Sequence, residues 1–371
     1  MLEFTFYAEL LPNIQSINLL ISLSSPTTAF TRTTIDPGSS SATLHHNGES
    51  ASLILPAPVN PGLWQLVLKP TPGELNLSGR LPLVSSLPIT YITRGNNAPW
   101  SATDLSSSTP ISFDCRSCSA VLIPIGQITQ WKNLPSANWV EMMDFWHCHK
   151  PMDNTKEKTQ GSSQKRSLFE KGLVVDQGIG FVELESFLVL DKDCKAAKII
   201  DSRVICSACH CLLGYPDKRV TVDDSRLLKL NKWNLSLNKN ETFPLECFLA
   251  TKFISYAEDE GIRRLLVSNI SQSDALDTRL KIWIFNPDIR FTSTQSSKPL
   301  RGLKVLWQSI TPAENVTTDS FHMIGFEAVV LDPNAFHTLK RCLHITMEVF
   351  HRNIEKSEGW NVGVLRRFEE T

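Results

Sequence analysis

Two Cys-x-x-Cys pairs, far apart in the chain, constrain its fold more than any other feature. The first is Cys115/Cys118 in Asp-Cys-Arg-Ser-Cys-Ser, and the second is Cys206/Cys209 in Val-Ile-Cys-Ser-Ala-Cys-His-Cys-Leu-Leu-Gly. Two thiolates three positions apart on a tight turn face a single cation, and two such turns complete a tetrahedral four-sulfur site for Zn²⁺. Between Cys118 and Cys206 lie 87 residues, so one structural ion held by Cys115, Cys118, Cys206 and Cys209 closes a long loop and removes much chain entropy from the unfolded state. Both pairs have the same local layout. The segment Ile111-Ser-Phe precedes the first and Ala120-Val-Leu-Ile-Pro follows it. Arg203-Val-Ile precedes the second and Leu212-Leu-Gly-Tyr follows it. Each reads as a hairpin with a metal knuckle at its turn. The competing reading is four buried thiols in strands, which matched spacing makes a poorer account.

The flanking regions set the fold class. From residue 1 to 98 short alternating segments are punctuated by Pro, Gly and Ser, and helical periodicity is absent. Strands are expected at Glu3–Leu10, Ser16–Leu23, Ala42–His46, Ser52–Leu55, Trp64–Lys69, Glu74–Leu77 and Pro88–Thr93, forming a β-rich sandwich or open barrel. His45 and His46 are neighbours on a strand, point to opposite faces and make a poor ligand pair. Residues 99–110 are polar and read as a connection. A metal-binding module then spans 111–216, with a flexible insertion at 152–167. Gly178–Leu190 reads as a single strand.

Residues 222–371 switch to a mixed pattern. Strand signals lie at Leu227–Leu237, Arg263–Asn269, Lys281–Asn286, Lys304–Ser309 and Trp360–Leu365. Helix signals lie at Phe243–Glu260 and Asn334–Asn353, the second with Phe336, Leu339, Leu343, Met347 and Phe350 at helical spacing. The expected class is α+β: a β-rich N-terminal domain, a zinc-clamped hairpin module and a mixed C-terminal domain.

A net charge of −1 gives no global basic field, which argues against direct nucleic-acid binding. No apolar run approaches a membrane span. The first residues, Met1-Leu-Glu-Phe-Thr-Phe, read as a strand rather than a signal peptide. With nine cysteines and metal-like pairs, the expected compartment is a reducing one, cytoplasmic and nuclear.

Inside the long loop lies Trp139-Val-Glu-Met-Met-Asp-Phe-Trp-His-Cys-His-Lys-Pro151. Trp139, Met142, Met143 and Trp146 make an apolar helical face, and His147, Cys148 and His149 place three metal-philic groups in a row. They serve a second metal or catalysis, or Cys148 is packed under the module with two polar neighbours.

This block, the cysteine pairs with Leu-Leu-Gly after the second, and Trp360-Asn-Val resemble the HECT-like ubiquitin-conjugating-enzyme-binding family. The resemblance implies a ubiquitin ligase or ligase-like adaptor whose partner is a ubiquitin-conjugating enzyme. Through a fungal relative it also implies an alternative: a non-enzymatic assembly factor for the endonuclease of pre-mRNA 3′-end cleavage and polyadenylation. The family name implies a thioester-forming cysteine. Cys342, 29 residues before the end in Lys340-Arg-Cys-Leu-His344, and Cys148 are the candidates. Cys247 sits in an amphipathic helical pattern. Cys211, just past the second pair, supports the metal site or substitutes in it.

Overall fold

The computed structural model describes residues 4–36, 38, 40–60, 73–84, 98–107, 110–134, 176–222, 225–269, 279–294, 296, 298–310, 325–350 and 359–369. The expected strands Trp64–Lys69 and Pro88–Thr93, the Trp139–Pro151 block with His147, Cys148 and His149, and the 152–167 insertion lie outside these residues. The chain divides into two compact units, one built from Met1–Asn97 with Leu245–Thr371 and the other from Ala98–Pro244.

The first unit opens with β1 (Phe4–Leu11) and β2 (Ser16–Leu23), a hairpin paired along its whole length from Phe4↔Leu23 to Leu11↔Ser16. Three short strands, β3 (Arg32–Ile35), β4 (Ser41–His46) and β5 (Glu49–Ile54), form an antiparallel sheet of their own, and β6 (Asn76–Pro82) returns to pair with β2. Alternation explains the layering. Phe6, Ala8 and Leu10 of β1 and Ile17, Leu19 and Ile21 of β2 share one apolar core with Ala42, Leu44 and Leu53 of the small sheet. Each sheet thereby buries a face that neither could leave in water. His46 points inward and bonds Thr31 and Ser25 at 2.9 Å each, while His45 points outward to Ser50. The two histidines do not share a face.

The second unit begins with Trp100, whose ring is buried, and α1 (Ala102–Ser107), where a polar connection was expected. The physical reason is a reciprocal cap: Ser101 Oγ accepts the Asp104 N–H, and Asp104 Oδ2 accepts the Ser101 N–H. Next come β7 (Phe113–Cys115), β8 (Val121–Ile123), β9 (Gln130–Asn133), β10 (Ile179–Val182) and β11 (Ser186–Leu190). The single strand expected over Gly178–Leu190 is thus a hairpin, turned at Glu183–Glu185 and closed by Glu183 N–H on Ser186 O. The remaining strands are β12 (Ala197–Ile200), β13 (Arg203–Cys206), β14 (Leu212–Val222), β15 (Ser225–Asn231) and β16 (Leu235–Leu237). The expected strand Leu227–Leu237 is broken by a turn at Lys232–Asn234.

A seven-stranded sheet runs in the order β12-β13-β14-β15-β11-β10-β9, and β16-β7-β8 form a small second sheet. They are joined by an aromatic core of Trp100, Phe113, Trp131 and Phe187, with Phe113 and Phe187 ring centroids 4.7 Å apart. Gly214 in β14 is required by its neighbours, because a Cβ there would strike the Lys229 carbonyl of β15.

The chain then completes the first unit. Helix α2 (Leu245–Asp259) precedes β17 (Arg264–Asn269), β18 (Arg279–Ser293), β19 (Leu300–Ile310) and β20 (Glu327–Leu331). Helix α3 (Pro333–Phe350) and β21 (Asn361–Arg366) end the described order. Asp332 caps α3, its carboxylate accepting the N–H of Asn334 and Ala335, with Pro333 at the first helical position. Phe336, Leu339 and Leu343 of the expected stripe are buried.

Residues assigned from pattern to separate N-terminal and C-terminal regions contribute to one eight-stranded sheet. Its order is β20-β17-β18-β1-β2-β6, with β19 beside β18 and β21 beside β19. The join is β1 on β18, at Tyr7↔Ser293 and Glu9↔Phe291. Beside it, buried Glu9 accepts hydrogen bonds from Tyr7 Oη of its own strand at 2.9 Å and from Lys304 Nζ of β19 at 2.6 Å. Among the described residues, no helix is long and apolar enough to cross a membrane.

Candidate metal centre

The second unit brings Cys115, Cys118, Cys206 and Cys209 together, with all four Sγ atoms within 4.8 Å of one another. Two hairpin ends build the site. Cys115 closes β7, where its N–H donates to Ala120 O at 2.8 Å and its carbonyl accepts the Ser119 N–H at 2.8 Å. Cys206 closes β13, where its N–H donates to Cys211 O at 2.9 Å and its carbonyl accepts the His210 N–H at 2.9 Å. In each case the residue after the second cysteine turns the chain back through the left-handed region, Ser119 at φ 60° and His210 at φ 59°. The two knuckles therefore have the same backbone wiring.

The surroundings hold both knuckles in place. Cys115 pairs with Leu235 of β16, and Cys206 pairs with Ala197 of β12. Arg116 fastens the first knuckle further, its N–H reaching Asn234 O and its guanidinium donating to the carbonyls of Trp233 at 3.0 Å and Phe243 at 2.9 Å. Cys115 and Cys206 are buried, whereas Cys118 and Cys209 lie toward solvent.

The distances suit a tetrahedral ion. Cys115 and Cys209 Sγ are 3.7 Å apart, as are Cys118 and Cys206. A tetrahedron with metal–sulfur bonds of about 2.3 Å has edges of about 3.8 Å. These four cysteines can hold a metal ion, and they are the one such cluster of His, Cys, Asp or Glu side chains among the described residues. In the protein alone, burial and then the neighbouring Cys211 push the Cys115 thiol up to about 12, whereas the Cys211 backbone N–H draws Cys209 down to about 6. Ion binding must displace the protons that remain, so affinity falls as pH falls.

A fifth sulfur stands beside the four. Cys211 Sγ lies 3.2 Å from Cys115 Sγ, closer than either 3.7 Å pair. Sequence alone left its role open. The signal was present in the alignment of the knuckles, where Cys211 occupies the position held by Ala120 in the first.

The cysteines outside this cluster have a different character. Cys342 on α3 is half-buried and pushed up to about 12 by burial and then by the Glu246 carboxylate, against which Arg341 and Arg366 pull only partly. Glu246 is itself engaged by Arg366 Nε at 2.7 Å. His344, two residues past Cys342, packs edge-on to Trp307. Burial likewise pushes Cys247 and Cys194 up to about 12. All three are held as thiols at neutral pH.

Comparison with known proteins gives this architecture a family. The profile described as HECT-like ubiquitin-conjugating enzyme (E2)-binding matches residues 9–362. The uncharacterized protein YJR141W of Saccharomyces cerevisiae is 28% identical over 268 residues, covering 71% of this chain and 71% of its own. The uncharacterized protein C1734.10c of Schizosaccharomyces pombe is 22% identical over 298 residues, covering 78% of this chain and 82% of its own. No solved structure matches the chain. The match takes in both units and all four clustered cysteines, and the chain belongs to the HECT-like ubiquitin-conjugating-enzyme-binding family.

Proposed function

We propose that this protein binds a ubiquitin-conjugating enzyme and acts as a ligase-like adaptor, aligning the charged enzyme with a target without taking ubiquitin onto its own cysteines. The observation that carries the reading is the family match over residues 9–362. The environment of the thiols supports the adaptor form. A thioester relay needs an accessible thiolate. Cys194, Cys247 and Cys342 are pushed up to about 12, and the four clustered cysteines face one another. An adaptor instead accelerates transfer by proximity and orientation, which asks nothing of its own nucleophiles. The ion we assign to the cluster is Zn²⁺, because an all-sulfur, closed, tetrahedral set is the donor preference of a structural zinc. Its role is to fasten two distant hairpin ends, not to activate water.

The test is reconstitution with a panel of ubiquitin-charged conjugating enzymes. Binding, with faster transfer of ubiquitin to lysine and no reductant-sensitive adduct on this chain, is the expected result. An adduct lost on Cys342→Ala or Cys148→Ala overturns the adaptor form. Failure to bind any conjugating enzyme overturns the reading as a whole.

A further inference from the structure

The two knuckles differ chemically at one place. Ala120 O and Cys211 O play the same part, accepting the N–H of Cys115 and Cys206 respectively. The backbone wiring therefore needs no sulfur at this position. Yet the second knuckle has one, aimed at Cys115 from 3.2 Å. A disulfide has a bond length of about 2.05 Å, so the pair needs to close by roughly an ångström. Cys211 is half-buried and within reach of a small oxidant, whereas Cys115 is buried.

We propose that Cys115 and Cys211 are a modification site: a peroxide converts the pair to a disulfide, and the metal ion is expelled. This rests on the metal reading of the four-cysteine cluster. The Cys211 thiol gives up its proton as its sulfur attacks one peroxide oxygen, forming an S–O bond and breaking the O–O bond, and the departing hydroxide takes up that proton to leave as water. The Cys115 thiolate then attacks the Cys211 sulfur. The S–S bond forms as the S–O bond breaks, and the second hydroxide leaves as water on protonation. In sum, one thiol, one metal-bound thiolate, one peroxide and one proton from solvent give one disulfide and two waters. Cys115 can no longer ligate, and Cys118, Cys206 and Cys209 hold the ion with one sulfur missing. Because Cys211 O also holds the Cys206 N–H, the new bond pulls on the second knuckle as well.

The experiment uses the full chain loaded with Zn²⁺ and exposed to hydrogen peroxide, with release followed by a chromogenic chelator and disulfides mapped by mass spectrometry after thiol blocking. The expected result is release accompanied by a Cys115–Cys211 crosslink, with rebinding after reduction. Cys211→Ala, which installs the residue that the first knuckle already uses, should bind one ion per chain and release it about tenfold more slowly, since within the cluster only ligated thiolates remain to be oxidised. Equal release rates in the two proteins, or a crosslink between another pair such as Cys118 and Cys206, overturns the proposal. A chain that never binds an ion overturns the metal reading instead, and the peroxide-treated protein still shows by mapping whether Cys115 and Cys211 join.

Discussion

Lys232 is the least expected buried charge in the second unit, and replacing it with methionine should stabilise the protein at neutral pH. Its side chain is 1% exposed, with Nζ donating to Pro99 O at 3.0 Å and Trp100 O at 3.4 Å and lying 5.1 Å above the Phe187 ring. Burial lowers its pKa from 10.5 to about 7, against the raising influence of Asp104, Glu183 and Glu185. The unfolded chain keeps the amine protonated up to pH 10.5, so between about 7 and 10.5 the unfolded state binds more protons and stability rises with pH. At about 1.4 kcal/mol per pH unit, the folded state at pH 7 stands about 4 kcal/mol below its value at high pH on account of this one group. The two carbonyl contacts offset this by about 1 kcal/mol each. Lys232→Met has similar length, keeps the apolar contact with Phe187 and loses both the bonds and the titration. The variant should therefore be more stable by about 2 kcal/mol near pH 7, equal near pH 9 and weaker above it. Chemical unfolding of both proteins with zinc held saturating, at matched pH values across this window, gives the difference directly. Parallel stability profiles, or a variant weaker at pH 7, would show that the amine stays charged when folded and that its carbonyl bonds dominate.

Three further perturbations probe other parts of the fold. Cys206→Ser should abolish stoichiometric zinc in elemental analysis and lower the melting temperature, and chelation of the wild-type protein should reproduce the shift; a metal-free preparation of unchanged stability refutes the site. Gly214→Ala puts a methyl group into the Lys229 carbonyl and should cost about 3 kcal/mol or more, read as early loss of amide protection in β14 and β15. Trp100→Ala removes a ring packed against Phe113, Phe187 and Phe243 and leaves Glu241 without its indole partner, so unfolding free energy should drop by about 3–5 kcal/mol, whereas an effect below about 1 kcal/mol would mean that the cluster repacks.

The legible parts of this protein are those where the signal is local. β1, β2, β4 and both long helices follow from period two or period 3.6 in their own residues, and the four clustered cysteines follow from repeated spacing. β3, Arg-Thr-Thr-Ile, escaped because its residues are mostly polar and only its pairing with β4 makes it a strand. Helix α1 escaped because Ser and Thr dominate it, and the Ser101–Asp104 cap was its only local mark. The hairpin of β10 and β11 looked like a single strand because its turn, Glu183-Leu-Glu185, has no Gly or Pro. Pairing of β1 with β18 is a property of distant residues that no window of sequence contains. Cys342 illustrates the same gap in chemistry: its basic neighbours are visible in sequence, but Glu246, which with burial decides its protonation, lies on another helix.

That β1–β18 seam also has a consequence in time. The second unit is one continuous stretch, Ala98–Pro244, whereas the first is assembled from two stretches on either side of it. During synthesis from the N-terminus, β1 is exposed for roughly 280 residues before β18 emerges, about half a minute at ~10 residues per second. Throughout that interval its outer edge is an unpaired strand, a template for wrong partners. The second unit, all in one stretch, can fold meanwhile, but the eight-stranded sheet of the first must wait for its later strands. A nascent chain of this protein thus calls for protection of its first strand, and any premature stop before Arg279 leaves that strand without its mate.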